Sequence, residues 1–173
     1  FAGRSNAGKS SAINALAGRN RLAFASRTPG RTQQIVLFGL PGGSIVADLP
    51  GYGYAAVPKA VKRAWQDVLA SYVATRPSLV ALALVVDARH GLKPLDFALL
   101  DGFLPSGRPV MVLATKSDKL TRSESARAAA AIRAQLAERY PGQASNVAVI
   151  PFSATARTGL LEADAILAGW LAA

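Results

Sequence analysis

Short apolar runs alternate with longer stretches of helical spacing along the chain. The runs 34–38, 44–48, 79–87, 110–115 and 147–151 are rich in Val, Ile and Leu and five to nine residues long. They read as strands. Pro41-Gly42-Gly43 separates the first two and predicts an antiparallel hairpin. The last three lack polar alternation, as expected of parallel strands covered on both faces.

Helical patterns fill the gaps. Residues 9–17 are closed by Gly18, a good helix stop. The stretch 58–75 has Pro58 in its first turn and spaces Val61, Trp65, Val68, Leu69 and Tyr72 as one apolar face. Thr121-Arg122-Ser123-Glu124 has capping-box form and opens an alanine-rich helix running to Arg139, before Pro141-Gly142. Residues 160–171 form the last helix, with Leu160, Leu167, Trp170 and Leu171 on one side. This alternation predicts an α/β fold: three layers around a mostly parallel six-stranded sheet with one antiparallel strand. The length suits one domain, 1–173.

Composition removes several classes. No cysteine means no disulfide and no Cys-ligated zinc or iron–sulfur centre, and a single histidine, His90, removes a multi-His metal site. The longest wholly apolar run has eight residues, 79–86, against the ~20 that span a bilayer. A cytoplasmic, monomeric protein with no membrane partner is expected. The formal charge is +10, and residues 1–66 hold nine basic side chains against one acid, Asp48. A polyanion is the expected partner.

The chemistry starts at residue 3. Gly3-Arg4-Ser5-Asn6-Ala7-Gly8-Lys9-Ser10 matches G-x-x-x-x-G-K-[ST]. Its backbone N–H groups and the following helix N-terminus suit phosphate. Lys9 would reach the β- and γ-phosphates, and the Ser10 hydroxyl would bind Mg²⁺. Such loops follow a central strand, yet only Phe1-Ala2 precede this one. The pattern therefore predicts a natural chain extended N-terminally by at least a strand.

Thr115-Lys116-Ser117-Asp118 ends an apolar strand, where open α/β sheets bind ligands. The Asp118 carboxylate can accept from both N1–H and the 2-amino group of guanine, whereas adenine offers neither donor. The Lys116 stem can lie against the base. Asp48-Leu49-Pro50-Gly51 ends another strand: Asp48 would hold Mg²⁺ through water and the Gly51 N–H would sense the γ-phosphate. Phe152-Ser153-Ala154-Thr155 follows the last strand, where a backbone N–H could meet guanine O6. An ordinary turn would account for any one of the last three; four elements in this order point to GTP and GDP.

These segments, with Thr32, resemble the five signature motifs of translation-factor-type GTPases. Gly-Arg-Ser-Asn-x-Gly-Lys-Ser-Ser at 3–11, Thr-Pro-Gly-Arg-Thr-Gln at 28–33, Asp-Leu-Pro-Gly-Tyr-Gly-Tyr-Ala at 48–55, Asp-Ala-Arg-His-Gly at 87–91 and Thr-Lys-Ser-Asp-Lys-Leu at 115–120 resemble the EngB (YihA/YsxC) family of bacterial GTPases. That family lies in the TrmE-Era-EngA-EngB-septin-like P-loop superfamily. The resemblance implies a Ras-like fold, GTP and Mg²⁺ binding, slow GTP hydrolysis and a role in assembling the large ribosomal subunit, with a link to cell division. It makes Thr32 the switch I threonine, with Gly30 and Arg31 beside it at the nucleotide, and 49–57 switch II. Lys9, Thr32 and Gly51 would stabilise the transition state. A P-loop kinase or ATPase for a small molecule is the competing enzyme reading, opposed by Asp118. A GTP-dependent module with a non-ribosomal target is the third.

Three residues refine this. Tyr52 stands where many GTPases carry the glutamine that orients the attacking water. Asn6 stands where some relatives hold K⁺, which could supply the charge of an absent arginine finger; the alternative is a loop asparagine that bonds its own backbone. His90 has no placed partner and reads as a surface or packing residue. The isolated protein should therefore turn over GTP no faster than slow unassisted GTPases, on the order of 10⁻⁴–10⁻³ per second. Phosphate release should be faster in K⁺ than in Na⁺. Turnover near one per second would contradict the Tyr52 argument, and equal rates in the two salts the Asn6 one.

Overall fold

The computed structural model describes residues 1–18, 23, 34–53 and 59–172, with the backbone alone for 59–66. The elements in order are β1 (Ala2–Gly3), α1 (Lys9–Leu16), β2 (Val36–Gly39), β3 (Ile45–Asp48), α2 (Lys59–Thr75), β4 (Leu82–Asp87), α3 (Pro94–Phe103), β5 (Val110–Thr115), α4 (Arg122–Arg139), β6 (Val147–Pro151) and α5 (Leu160–Leu171). Strands β1, β4, β5 and β6 form a parallel sheet in that spatial order, and β2 and β3 form an antiparallel pair. Leu49 N–H donates to Phe1 O at 2.9 Å and Tyr52 N–H to Gly3 O at 3.3 Å. These bonds lay the end of β3 beside β1. Six strands are present, as expected, but as a four-stranded parallel sheet and an antiparallel pair joined to it through these few bonds rather than one continuous ladder.

Period-two alternation along the parallel strands divides the core. Leu84, Val86, Val112 and Val149 face one cluster, with Leu69 and Val73 of α2, Leu100 and Phe103 of α3, and Ile132 and Leu136 of α4. Ala83, Val85, Met111, Leu113 and Ile150 face the other, with Ala12 of α1 and Leu160 and Ala163 of α5. Both faces are dry, which is why these strands read as unbroken apolar runs.

The structure amends several expectations. Strand β4 starts at Leu82 rather than residue 79, because pairing with β5 begins at Leu82↔Val110. Strand β2 likewise begins at Val36, where it meets Asp48, rather than at residue 34. Val68 is 52% exposed; the buried stripe of α2 runs through Leu69 and Val73, and Val68 lies about 100° around the helix from Leu69. Leu171 is 41% exposed at the last turn of α5, whereas Trp170 packs half-buried on the second cluster. The side chains of Val61 and Trp65 lie outside the described residues. His90 is exposed, as expected. Two arginines of α4 have fixed partners: Arg133 donates to Val149 O at 2.6 Å, and Arg139 pairs with Asp101 at 2.7 Å. Helix α3 is new. Its signals were Pro94 in the first turn and Asp96, which accepts from the Lys93 N–H at 2.8 Å.

Two turns are dictated by chemistry. Leu40 N–H bonds Ser44 O at 2.8 Å across the hairpin, with Gly42 and Gly43 at φ 93° and 88°. Gly159 has φ 69°, and a Cβ there would stand 2.2 Å from Pro151 O. Gly159→Ala should therefore cost at least ~2 kcal/mol, summing left-handed strain with a forced backbone shift. Urea unfolding would show it as a lower midpoint with unchanged slope; an unchanged midpoint would mean the turn reshapes freely.

Candidate functional site

The expected site residues that are described collect along one edge of the sheet, at the carboxyl ends of β1, β3, β5 and β6. The loop after β1 is closed by a short turn that leaves its last amides without a described backbone partner. Ala7 N–H returns to Arg4 O at 3.0 Å, Asn6 and Gly8 take φ 65° and 98°, and α1 begins at Lys9. No described side chain caps α1, and no described backbone carbonyl accepts from Gly8, Lys9 or Ser10. These amides, at the positive end of a helix dipole, fit an anion.

Lys9 is buried with its ammonium against the Asp48 carboxylate, itself only 4% exposed. Ser10, in the first turn of α1, is half-buried. Gly51 closes over the same loop: a Cβ there would meet Ser5 Cα at 3.1 Å, so a side chain would push the loop away by a few tenths of an ångström. Leu49 and Pro50 are buried.

The base-reading loop is tied to the phosphate loop. The Thr115 hydroxyl lies within hydrogen-bond reach of the Ala7 carbonyl, and of Val86 O at 3.1 Å. Lys116, at φ 59°, donates from Nζ to Asn6 O at 2.7 Å. Ser117 is buried, and its N–H donates to Phe152 O at 3.2 Å. Asp118 accepts from the Ser153 hydroxyl at 2.7 Å, which holds its carboxyl below the ordinary range and ionised at neutral pH. Ser153 is itself 1% exposed and accepts from Ala156 N–H at 3.0 Å. The Ala154 N–H has no backbone acceptor among the described residues, so it stays available to a base oxygen. Gly30, Arg31 and Thr32 lie outside the described residues, as do 54–57 of the expected switch II.

Sequence reasoning missed two acidic partners. Tyr52 turns its ring inward and donates its hydroxyl to Asp96 Oδ1 at 2.6 Å, while its carbonyl accepts from Ser5 N–H at 2.8 Å. Asp96 is fully buried. Burial raises both pKa values, and the charge of Asp96 raises that of Tyr52 further. Tyr52 is thus a strut between the phosphate loop and α3, with its hydroxyl committed to Asp96. The second is Asp87, beside Lys116. Farther along α1, the Asn14 side-chain amide bonds both N–H and C=O of buried Ala23, at 2.7 and 2.8 Å.

Residues 1–116 match the family model described as a 50S ribosome-binding GTPase. The chain is 53% identical over 171 residues to the probable GTP-binding protein EngB of Azoarcus sp. (strain BH72), covering 99% of this chain and 80% of that protein. It is 52% identical over 176 residues to the EngB protein of Burkholderia thailandensis, again covering 80% of the relative. The chain belongs to the EngB family of P-loop GTP-binding proteins. A crystal structure of a probable EngB protein superposes with TM-score 0.75 at 24% identity, covering 99% of this chain and 96% of that one. That likeness supports the same three-layer fold.

The family implies Mg²⁺ beside the nucleotide, and the donors fit it. The Ser10 hydroxyl and the Asp48 carboxylate are hard oxygen ligands. Among the described residues no group of three or more His, Cys, Asp or Glu could hold a metal alone. A cation here would draw its other ligands from phosphate and water, which is the habit of Mg²⁺.

Asp118→Asn should invert base preference. The substituted amide can keep its oxygen toward Ser153, so its NH₂ would face the base and donate where the carboxylate accepted. GDP affinity should fall ~10–150-fold, the worth of a charge-assisted bond, while xanthosine diphosphate, with an acceptor at C2, gains. Titration of both diphosphates tests this; equal loss for both would remove Asp118 from base reading.

Proposed function

We propose that this protein is a GTP-hydrolysing switch that acts in assembly of the large ribosomal subunit. The observation that carries the reading is the match of residues 1–116 to a 50S ribosome-binding GTPase domain. It is supported by a guanine-suited Asp118 and an anion-suited α1 in one cleft. GTP would place its phosphates on the amides of Gly8, Lys9 and Ser10 and draw Lys9 from Asp48. Asp48 and Ser10, with Thr32, would then hold Mg²⁺, which neutralises charge on the β- and γ-phosphates. The Gly51 N–H would report the γ-phosphate to switch II.

Hydrolysis would end that state, with Lys9, Thr32 and Gly51 stabilising the transition state. Tyr52 is committed to Asp96, so the particle, or K⁺ near Asn6, would complete the catalytic arrangement. Asn6 is exposed and its carbonyl already receives a cation, the Lys116 ammonium.

The partner would be the large subunit or its precursor, met in the cytoplasm and contacted through ribosomal RNA by the basic surface. Arg19, Arg21, Arg27 and Arg31 fall in or beside switch I, and Lys59, Lys62 and Arg63 open α2. A polyanion partner gives steep salt dependence. Among the described residues no helix is long and apolar enough to cross a membrane.

Co-sedimentation tests the proposal. Large-subunit precursors should retain the protein with a non-hydrolysable GTP analogue and release it with GDP, and added salt should weaken retention steeply. Arg19→Ala with Arg21→Ala should weaken retention and spare nucleotide affinity. No retention in either nucleotide state would overturn the ribosomal target.

A further inference from the structure

The segment Asp87-Ala88-Arg89-His90-Gly91 lies at the carboxyl end of β4, beside the base-reading loop, and nucleotide binding as described above gives it no task. Its geometry is specific. Asp87 is 9% exposed, and its register partner on β5 is Thr115. Four donors meet its carboxylate. Arg89 N–H and Nε reach Oδ1 at 3.1 and 2.9 Å, while Arg89 Nη2 and Lys116 Nζ reach Oδ2 at 2.7 and 3.0 Å. His90 and Gly91 N–H both return to the Asp87 carbonyl, at 2.9 and 3.1 Å, which closes the turn that brings Arg89 back. Burial alone would raise the Asp87 pKa; the bonds from Arg89 and Lys116 together outweigh it and keep the group ionised.

Lys116 therefore has two fixed partners, Asp87 on β4 and the Asn6 carbonyl in the phosphate loop. An exposed ion pair that merely decorates a turn is worth little. This one differs in that its acid is almost buried and is shared with a lysine reaching another loop. A lysine side chain has four rotors to immobilise. Asp87 immobilises them before any ligand arrives, and immobilisation in advance is what raises affinity. Arg89 grips Asp87 side-on through two bonds, so the carboxylate cannot rotate away to follow Lys116.

We propose that Asp87 is a positioning residue for guanine-nucleotide binding, locked by Arg89, which holds the Lys116 ammonium at the Asn6 carbonyl so that the Lys116 stem stands ready against the base. The assignment rests on the GTP-binding reading of the same cleft. It makes the base-reading loop and the phosphate loop one body through an Arg89–Asp87–Lys116–Asn6 chain.

A double-mutant cycle on the full chain tests it, read by titration with a fluorescent GDP analogue. Asp87→Ala should weaken GDP binding about tenfold. Lys116→Met should weaken it at least as much. The double variant should be no weaker than Lys116→Met alone, because Asp87 acts only through that ammonium. Arg89→Ala keeps the carboxylate and should cost about threefold, with an unfolding midpoint close to wild type. It serves if Asp87→Ala fails to fold. Additive losses from Asp87 and Lys116, or a fall in unfolding midpoint with unchanged GDP affinity in both Asp87→Ala and Arg89→Ala, would overturn the assignment and leave a structural ion pair. If wild type itself does not prefer GDP to ADP, the nucleotide reading fails and the assignment falls with it.

Discussion

A loop that offers its amides to phosphate must be held in shape by something other than those amides. The rest of this molecule follows from that constraint. The amides of Gly8, Lys9 and Ser10 lack described backbone acceptors, which in a buried loop would be costly without a ligand or water. The loop is instead gripped through atoms that phosphate does not need. Thr115 reaches the Ala7 carbonyl, Lys116 the Asn6 carbonyl, and the Tyr52 carbonyl takes the Ser5 N–H. Each grip comes from the carboxyl end of a neighbouring strand, so the sheet edge and the phosphate cradle are one structure.

The same arrangement places acids where they act at a distance. Asp48 faces Lys9, Asp87 faces Lys116, and Asp96 receives Tyr52. Asp48 would exchange a lysine for a metal ion when nucleotide arrives. Asp87 holds its lysine at 3.0 Å. Asp96 engages no cation in a described bond; it fixes an aromatic ring at the point where the chain leaves the phosphate loop. Burial of three carboxylates beside one cleft would be prohibitive without such partners.

Much of the site was legible because its chemistry is local. The phosphate loop is eight consecutive residues, and the amide geometry is set by a helix start and by Gly8 at positive φ. Asp118 stood out because a carboxylate has the acceptor pair that guanine would need, and the fold fixes it against the Ser153 hydroxyl. Helix α3 was overlooked because Leu92–Leu104 is apolar on nearly every side. Leu99, Leu100, Phe103 and Leu104 are all buried, so no polar face marks the helical period. Val68 was misplaced for the opposite reason: α2 carries more apolar residues than its buried stripe uses.

By itself, the order of residues determined the strand–helix alternation apart from α3, the glycine-rich turn that opens α1 and the apolar faces of the parallel strands. Those follow from backbone stereochemistry and from side chains within a few positions of one another. Only the tertiary structure decided which partner each isolated polar group would have. Lys116 and Asn6 stand 110 residues apart, and Tyr52 and Asp96 stand 44 apart. Such pairs exist because parallel strands bring distant carboxyl ends to one edge. Spacing along a chain carries no record of that meeting, so the direction of Tyr52 and the partner of Asp87 had to come from the folded molecule.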